Sequence, residues 1–104
     1  MRGKVKIIHV ICIGNLNVEE LGGGRFKSGN WVVAEKVAKE AAIIALHEKR
    51  SEPSYRQGRI VDRETKNVPD KKISKRKVFV VEATAEAESW PETSGTGEKA
   101  YTYQ

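Results

Sequence analysis

The sequence predicts an α+β domain: a small, curved, mostly antiparallel sheet or pseudo-barrel of about five strands, with one short helix. Residues 4–13, KVKIIHVICI, form a nearly continuous Val- and Ile-rich run, which is typical of a central strand buried on both faces. Further β-prone runs follow between turn residues, and only residues 34–42 show helical spacing of apolar side chains. Short strands with long loops often close a sheet on itself, because closure removes its edges.

The first half of the chain predicts one helix between β-prone segments. Ala34, Val37, Ala38 and Ala41 fall on one face of that helix. The glycines at 22–24 lack both the P-loop ending and the dinucleotide-binding pattern, so we interpret them as a flexible connection. The predicted order is a strand at 4–13, a turn at 14–15, the connection at 16–27, a turn at 28–30, a short strand at 31–33 and the helix at 34–42.

The second half predicts three further strands within one domain, residues 1–104. The first of them, at 43–48, has a longer helix through Leu46 as its alternative. Residues 101–103 either add a terminal strand or stay loose within a mobile tail at 91–104. The predicted order is a strand at 43–48, a loop at 49–57, a strand at 58–64, a polar loop at 65–75 and a strand at 76–82.

The composition excludes several classes of protein. Of the 104 residues, 38% are hydrophobic and 32% are charged, as in a soluble globular domain. No run of apolar residues is long enough for a transmembrane helix, and residues 7–13 lack the features of a signal peptide. The single cysteine, Cys12, excludes an internal disulfide and a zinc-type cysteine cluster. We therefore expect a cytoplasmic protein with no cofactor and no metal.

Positive charge is concentrated in the middle of the chain. The formal net charge is +5, and the isoelectric point is about 9.4. Residues 49–77 carry eleven Lys and Arg against four Asp and Glu, whereas residues 78–104 carry one Lys against five Glu. A local basic excess attracts polyanions and is a cue for nucleic-acid binding in a small domain. The alternative is a solvated surface that is balanced by carboxylates elsewhere in the fold.

The stretch 28–61, SGNWVVAEKVAKEAAIIALHEKRSEPSYRQGRIV, has a turn, a tryptophan strand, a helix, a strand and a loop before Gly58. In this order it resembles the PUA-like superfamily of small pseudo-barrels, which includes the ASCH, EVE and YTH domains. The resemblance covers roughly residues 28–90. It implies binding of RNA or a modified nucleobase in a cleft, near Asn30, Trp31, Ser54 and Tyr55. The ASCH-type Gly-x-Lys-x-x-Glu-x-Arg pattern is absent, and no hydrolytic residue set maps onto this chain.

Aromatic and basic residues supply the candidate binding site. Trp31 and Trp90 offer stacking surfaces for bases, although core packing is their alternative role. The loop at 49–57 and the start of the next strand combine cations with an aromatic ring, which suits phosphates and bases. A second basic run, Lys71, Lys72, Lys75, Arg76 and Lys77, is interpreted as a charged hairpin turn, with a phosphate-contacting loop or a nuclear-localisation-like patch as its alternative. The candidate binding residues are Asn30, Trp31, Lys49, Arg50, Ser54, Tyr55, Arg56, Arg59 and Trp90.

The two histidines favour a structural role over catalysis. His9 lies within the predicted first strand and His47 ends the strand at 43–48. His9 and Cys12 are three residues apart in a strand and so point to opposite faces, which argues against a Cys/His dyad.

Taken together, these patterns lead us to expect a non-catalytic module that binds RNA, single-stranded DNA or a modified base and that does not bind membranes. The alternatives are a protein–protein adaptor and a nucleoside- or RNA-acting hydrolase using Glu48, Lys49 and Tyr55.

Overall fold

The computed structural model describes residues 4–69, 75–91 and 99–103. In chain order its elements are β1 (Val5–Ile11), a 3-10 turn (Ile13–Asn15), β2 (Val18–Gly22), β3 (Arg25–Trp31), α1 (Glu35–Glu40), β4 (Ile43–His47), β5 (Arg56–Asn67), β6 (Lys75–Thr84) and β7 (Lys99–Tyr103). The seven strands of these ranges form one open sheet in the order β2-β3-β6-β5-β4-β1-β7. Within the same ranges, no helix has the length and apolar character that crossing a membrane requires.

β1 is an interior strand, as its Val- and Ile-rich sequence predicts. It pairs in parallel with β4 and antiparallel with β7. Ile8 and Val10 point to one face and His9 to the other, and all three side chains are at most 1% exposed. β1 therefore carries buried groups on both faces, and its second face holds a polar group that must be hydrogen-bonded.

The main core joins both halves of the sheet. Phe26 of β3 and Phe79 of β6 belong to the same buried cluster as Ile8 of β1 and Leu46 of β4. Strands four positions apart in the sheet can reach one core only because the sheet curves around it. The domain is therefore sheet-dominated, with α1 contributing Ala38 to the same core.

α1 is shorter than the predicted helix at 34–42. The chain leaves the helix after Glu40, because the backbone N–H of Ala42 donates to the Lys6 carbonyl of β1 at 2.9 Å. Arg63 of β5 satisfies carbonyls at the helix end: it donates to Ala38 and, at 2.6 Å, to Ala41. The apolar periodicity thus predicted the helix correctly, but Ala41 and Ala42 lie beyond its end, and Ala42 is hydrogen-bonded to β1.

The connection predicted at 16–27 is wrong, because these residues form most of the β2–β3 hairpin. The ladder pairs Val18 with Ser28 and Glu20 with Phe26. Gly22, Gly23 and Gly24 have φ of 82°, 63° and 77°, a left-handed conformation that only glycine adopts at little cost. Gly23 and Gly24 therefore form a tight turn after Gly22, which ends β2.

The other strands differ from prediction mainly in length and number. The strand at 43–48 is confirmed as β4, and the terminal strand, one of two alternatives, is present as β7. The strands predicted at 58–64 and 76–82 extend into the longer β5 and β6, which shortens the loop predicted at 65–75. The short strand expected at 31–33 is instead the end of β3 at Trp31. Lys71 and Lys72 of the second basic run lie outside the described residues, as do positions 92–98 and 104 of the predicted mobile tail.

Gly58 is required by close packing of β5 against β6. A Cβ at this position would lie 2.2 Å from the Glu82 carbonyl oxygen, which is backbone and cannot rotate away. We expect Gly58→Ala to lower the free energy of unfolding by about 1–3 kcal/mol or more, as overpacking does. Urea unfolding would measure the loss, with Val61→Thr as a control at a 40% exposed position of the same strand. Equal stability of the two variants would contradict the proposed clash.

Candidate functional site

A cleft of about 370 Å³ lies between the turn that follows β1 and the end of β3. Two of the sequence-predicted residues, Asn30 and Trp31, line it. Its volume falls within the range of about 300–1,000 Å³ that is usual for ligand pockets. The complete lining consists of Ile11, Cys12, Ile13, Leu16, Asn17, Gly29, Asn30, Trp31, Val32, Arg76 and Lys99.

Hydrogen bonds anchor the wall of the cleft at residues 12–17. The Cys12 backbone N–H donates to the His47 carbonyl at 2.8 Å, and the Tyr55 hydroxyl donates to the Cys12 carbonyl at 2.5 Å. Asn15 and Asn17 have φ of 55° and 60°, a conformation that asparagine tolerates better than most residues. The wall is therefore tied to β4 and to the segment before β5.

Trp31 is held in place at the base of the cleft. Its indole Nε1–H donates to the Ser28 hydroxyl at 3.0 Å, and the ring packs against the core while remaining half-buried. Ile13 and Leu16 line the same cleft and are 66% and 67% exposed. The cleft thus combines a fixed aromatic ring with two accessible apolar side chains.

The charged side chains that line the cleft are both cationic. Arg76 comes from β6 and Lys99 from β7, and Lys99 donates to the Val32 carbonyl. None of the described residues that line the cleft is acidic. Arg76 and Lys99 are therefore the charged side chains that this lining offers to a ligand.

The predicted basic and aromatic loop does not form one surface around this cleft. Lys49 and Arg50 are exposed. Arg56 forms two hydrogen bonds to the Glu20 carboxylate, at 2.5 and 2.7 Å, and lies 3.9 Å from the centre of the Phe26 ring. Arg59 pairs with Glu82 at 2.8 Å. These contacts lower the pKa of both carboxyl groups, so Arg56 and Arg59 already have anionic partners.

Ser54 and Trp90 lie apart from Asn30 and Trp31. Neither lines the cleft, and both are buried. The Ser54 hydroxyl donates to the Gln57 side chain at 2.6 Å and accepts the Glu88 backbone N–H at 2.8 Å. The cleft lining therefore includes Asn30 and Trp31, whereas Ser54 and Trp90 are buried outside it, and Trp90 lies against His9 on the other face of the sheet.

Two buried histidines form a hydrogen-bonded chain on that other face. His9 Nδ1 lies 3.0 Å from His47 Nε2, His9 Nε2 lies 2.7 Å from the Thr102 hydroxyl, and His47 Nδ1 lies 3.1 Å from the Glu52 carbonyl. The carbonyl can only accept, so His47 Nδ1 carries a proton. In neutral rings, the Thr102 hydroxyl then donates to His9, His9 donates to His47, and His47 donates to Glu52.

Burial keeps these rings neutral. It lowers the pKa of His9 to about 4, with the nearby His47 as a second cause, and it lowers the pKa of His47 as well. Trp90 packs against both imidazole rings in edge-to-face geometry. Its ring centre lies 5.9 Å from that of His9 and 5.1 Å from that of His47. The side chains are 1% and 0% exposed, which agrees with the predicted structural role. Sequence reasoning missed their contact, because it depends on the β1–β4 register.

Known proteins offer no guide to this site. No protein-family model matches the chain, and searches of curated proteins and solved structures found no match. Across residues 4–69, 75–91 and 99–103, no three His, Cys, Asp or Glu side chains are grouped to hold a metal ion.

Proposed function

We propose that this protein binds RNA or single-stranded DNA, including a modified base within it, in the cleft between the turn after β1 and the end of β3. The observation that carries the proposal is the cleft lining. It combines the Trp31 indole, the amides of Asn17 and Asn30, and the cations Arg76 and Lys99, without an acidic group among its described residues. The protein acts as a binding module and not as an enzyme.

Each kind of group has a role in this proposal. A base stacks on Trp31, since indole faces accept any base. The amides of Asn17 and Asn30 donate and accept hydrogen bonds at the edge of that base. Arg76 and Lys99 attract the phosphates on either side of it. This division of roles requires an unstacked base, which favours a single strand over a duplex.

We further propose that the fold is a PUA-like pseudo-barrel. The support is the core that strands from both halves of the sheet share, which requires strong curvature. A cytoplasmic location fits the one cysteine, Cys12, which is buried and unpaired. The resemblance over residues 28–90 implies the same class of ligand as the cleft does.

Removing the two cleft cations is expected to weaken binding and its dependence on salt. With two phosphate contacts, affinity for a labelled single-stranded RNA should fall roughly sevenfold between about 50 and 200 mM salt. The double variant Arg76→Gln/Lys99→Gln keeps side-chain donors but removes both charges, so we expect weaker binding and a nearly flat salt response. Fluorescence anisotropy measures both effects, after thermal melting has shown that the variant is folded.

The matched control tests the loop that the sequence predicted. Lys49→Gln/Arg50→Gln removes two exposed charges outside the cleft lining and should leave binding nearly unchanged. If only this control variant loses affinity, the interface is the basic loop and the proposed cleft is wrong. If the unchanged protein binds neither RNA nor single-stranded DNA at 50 mM salt, the nucleic-acid proposal is wrong.

A protein–protein adaptor is the second candidate function. β2 is an edge strand of the described sheet, and four of its five residues are exposed, including Leu21 at 41%. An extended peptide from a partner would pair with such an edge. The hydrolase alternative has weaker support, because the Tyr55 hydroxyl donates to a carbonyl and its pKa is raised, which makes it a poor base.

A further inference from the structure

A second cavity borders the cleft and shares three residues with it. It has a volume of about 590 Å³. Asn17, Gly29 and Asn30 line both cavities, so the two cavities adjoin. The rest of its lining comes from four strands: Val18 and Glu19 of β2, Lys27 of β3, Glu64, Thr65, Lys66 and Asn67 of β5, and Val78 of β6.

The chemistry of the second cavity differs from that of the cleft. Its lining holds two acidic and two basic side chains, and one pair, Lys27 and Glu64, forms an ion pair at 3.3 Å. Three asparagines and Thr65 add neutral hydrogen-bonding groups. The second cavity is thus polar but balanced in charge, whereas the cleft is cationic.

The walls of the second cavity are built mainly on paired strands. β2 pairs with β3, β3 with β6, and β6 with β5. Gly29 packs closely on Val78, where an added Cβ would lie 2.8 Å from a methyl group. The second cavity is therefore present before a ligand arrives, so binding does not require its strands to order.

We infer that the two cavities together take a single-stranded oligonucleotide of at least two nucleotides, rather than a free base or a mononucleotide. This inference rests on the proposed function of the cleft. One base stacks on Trp31 beside the cations, and the sugar and base of the next nucleotide occupy the polar cavity. Asn17 and Asn30 line both cavities and lie at the boundary between the two nucleotides.

The inference is tested by comparing ligands of different length on the whole chain. Isothermal titration at about 50 mM salt compares adenosine monophosphate with a trinucleotide of adenylate. We expect the trinucleotide to bind about tenfold tighter, because it adds hydrogen bonds in the second cavity. Equal affinity for the two ligands would overturn the inference while leaving base binding in the cleft intact.

Substitutions distinguish the contribution of each cavity to binding. Asn67→Ala, at the end of β5 in the second cavity, should reduce trinucleotide affinity severalfold without changing monophosphate affinity. Arg76→Gln/Lys99→Gln should lower the affinity for both ligands. Val61→Thr, on the same strand as Asn67, should change neither affinity. If Asn67→Ala lowers the affinity for neither ligand, or lowers both affinities equally, the two-cavity arrangement is wrong. If the unchanged protein binds no nucleotide of any length, the proposed function itself fails.

Discussion

Acidification from pH 7 to pH 5 is expected to lower the free energy of unfolding by about 2 kcal/mol. The cause is the buried His9–His47 pair, in which burial lowers the pKa of His9 from 6.5 to about 4. Between these values the unfolded chain binds a proton at His9 and the folded chain does not. Stability is therefore lost progressively as the pH falls through 6.5 and towards 4. The lowered pKa of His47 acts in the same direction.

Stopping at pH 5 separates this effect from that of the carboxylates. Glu20, Glu35 and Glu82 have pKa values lowered from 4.5 by Arg56, Lys77 and Arg59, so their contribution is lost mainly below that pH. Urea unfolding at pH 7 and pH 5 measures the difference. In the double variant His9→Asn/His47→Gln neither position titrates in this range. That variant should be less stable at pH 7 but should lose less than about 0.5 kcal/mol on acidification. An equal loss in both proteins would show that the histidines are not responsible.

Replacing Trp31 by alanine is expected to weaken binding of single-stranded RNA by a factor of about 5–150, the usual effect of removing a stacked base partner. The indole lines the cleft, and its Nε1–H bond to Ser28 fixes its orientation. Anisotropy titration at about 50 mM salt measures the loss. Low salt is used because, in the proposed complex, the two cleft cations supply the rest of the affinity.

The phenylalanine variant distinguishes stacking from general damage to the fold. Trp31→Phe keeps an aromatic face but loses the bond to Ser28, so it should retain most of the affinity that Trp31→Ala loses. Thermal unfolding of both variants checks the packing of this side chain against the core. Comparable affinity for all three proteins would mean that no base stacks at this position.

Local patterns in the sequence predicted those elements whose secondary structure is determined by their own residues. The Val- and Ile-rich run gave β1, the alanine spacing gave the centre of α1, and IIALH gave β4. These three element predictions were confirmed because they depend on neighbouring residues only. The choice of Asn30 and Trp31 as site residues came from the resemblance over residues 28–90; both line the cleft, and their role in binding stays a prediction.

Features that depend on distant pairing were beyond such patterns. β2 is exposed over most of its length and has no apolar alternation, so nothing marked it as a strand. Arg56 belonged to a basic loop in the sequence, but its charge is directed to Glu20, 36 residues earlier. His9 and His47 meet because β1 and β4 pair in parallel, with His9 opposite Ala45 and Ile11 opposite His47. That register places both histidines on one face, and no local signal reports it.

The pairing of β1 with β7 has a consequence for how the chain folds. Val5 lies opposite Tyr103, so the two strands that meet here are separated by almost the whole chain. Contacts of such long sequence separation form slowly, since a large loop must close first. On a ribosome, β1 can pair with β4 long before β7 has been synthesised. Until then β1 remains an open edge, and His9 lacks its Thr102 partner. β7, the last of the described strands along the chain, therefore completes the hydrogen bonds of β1, the first of them.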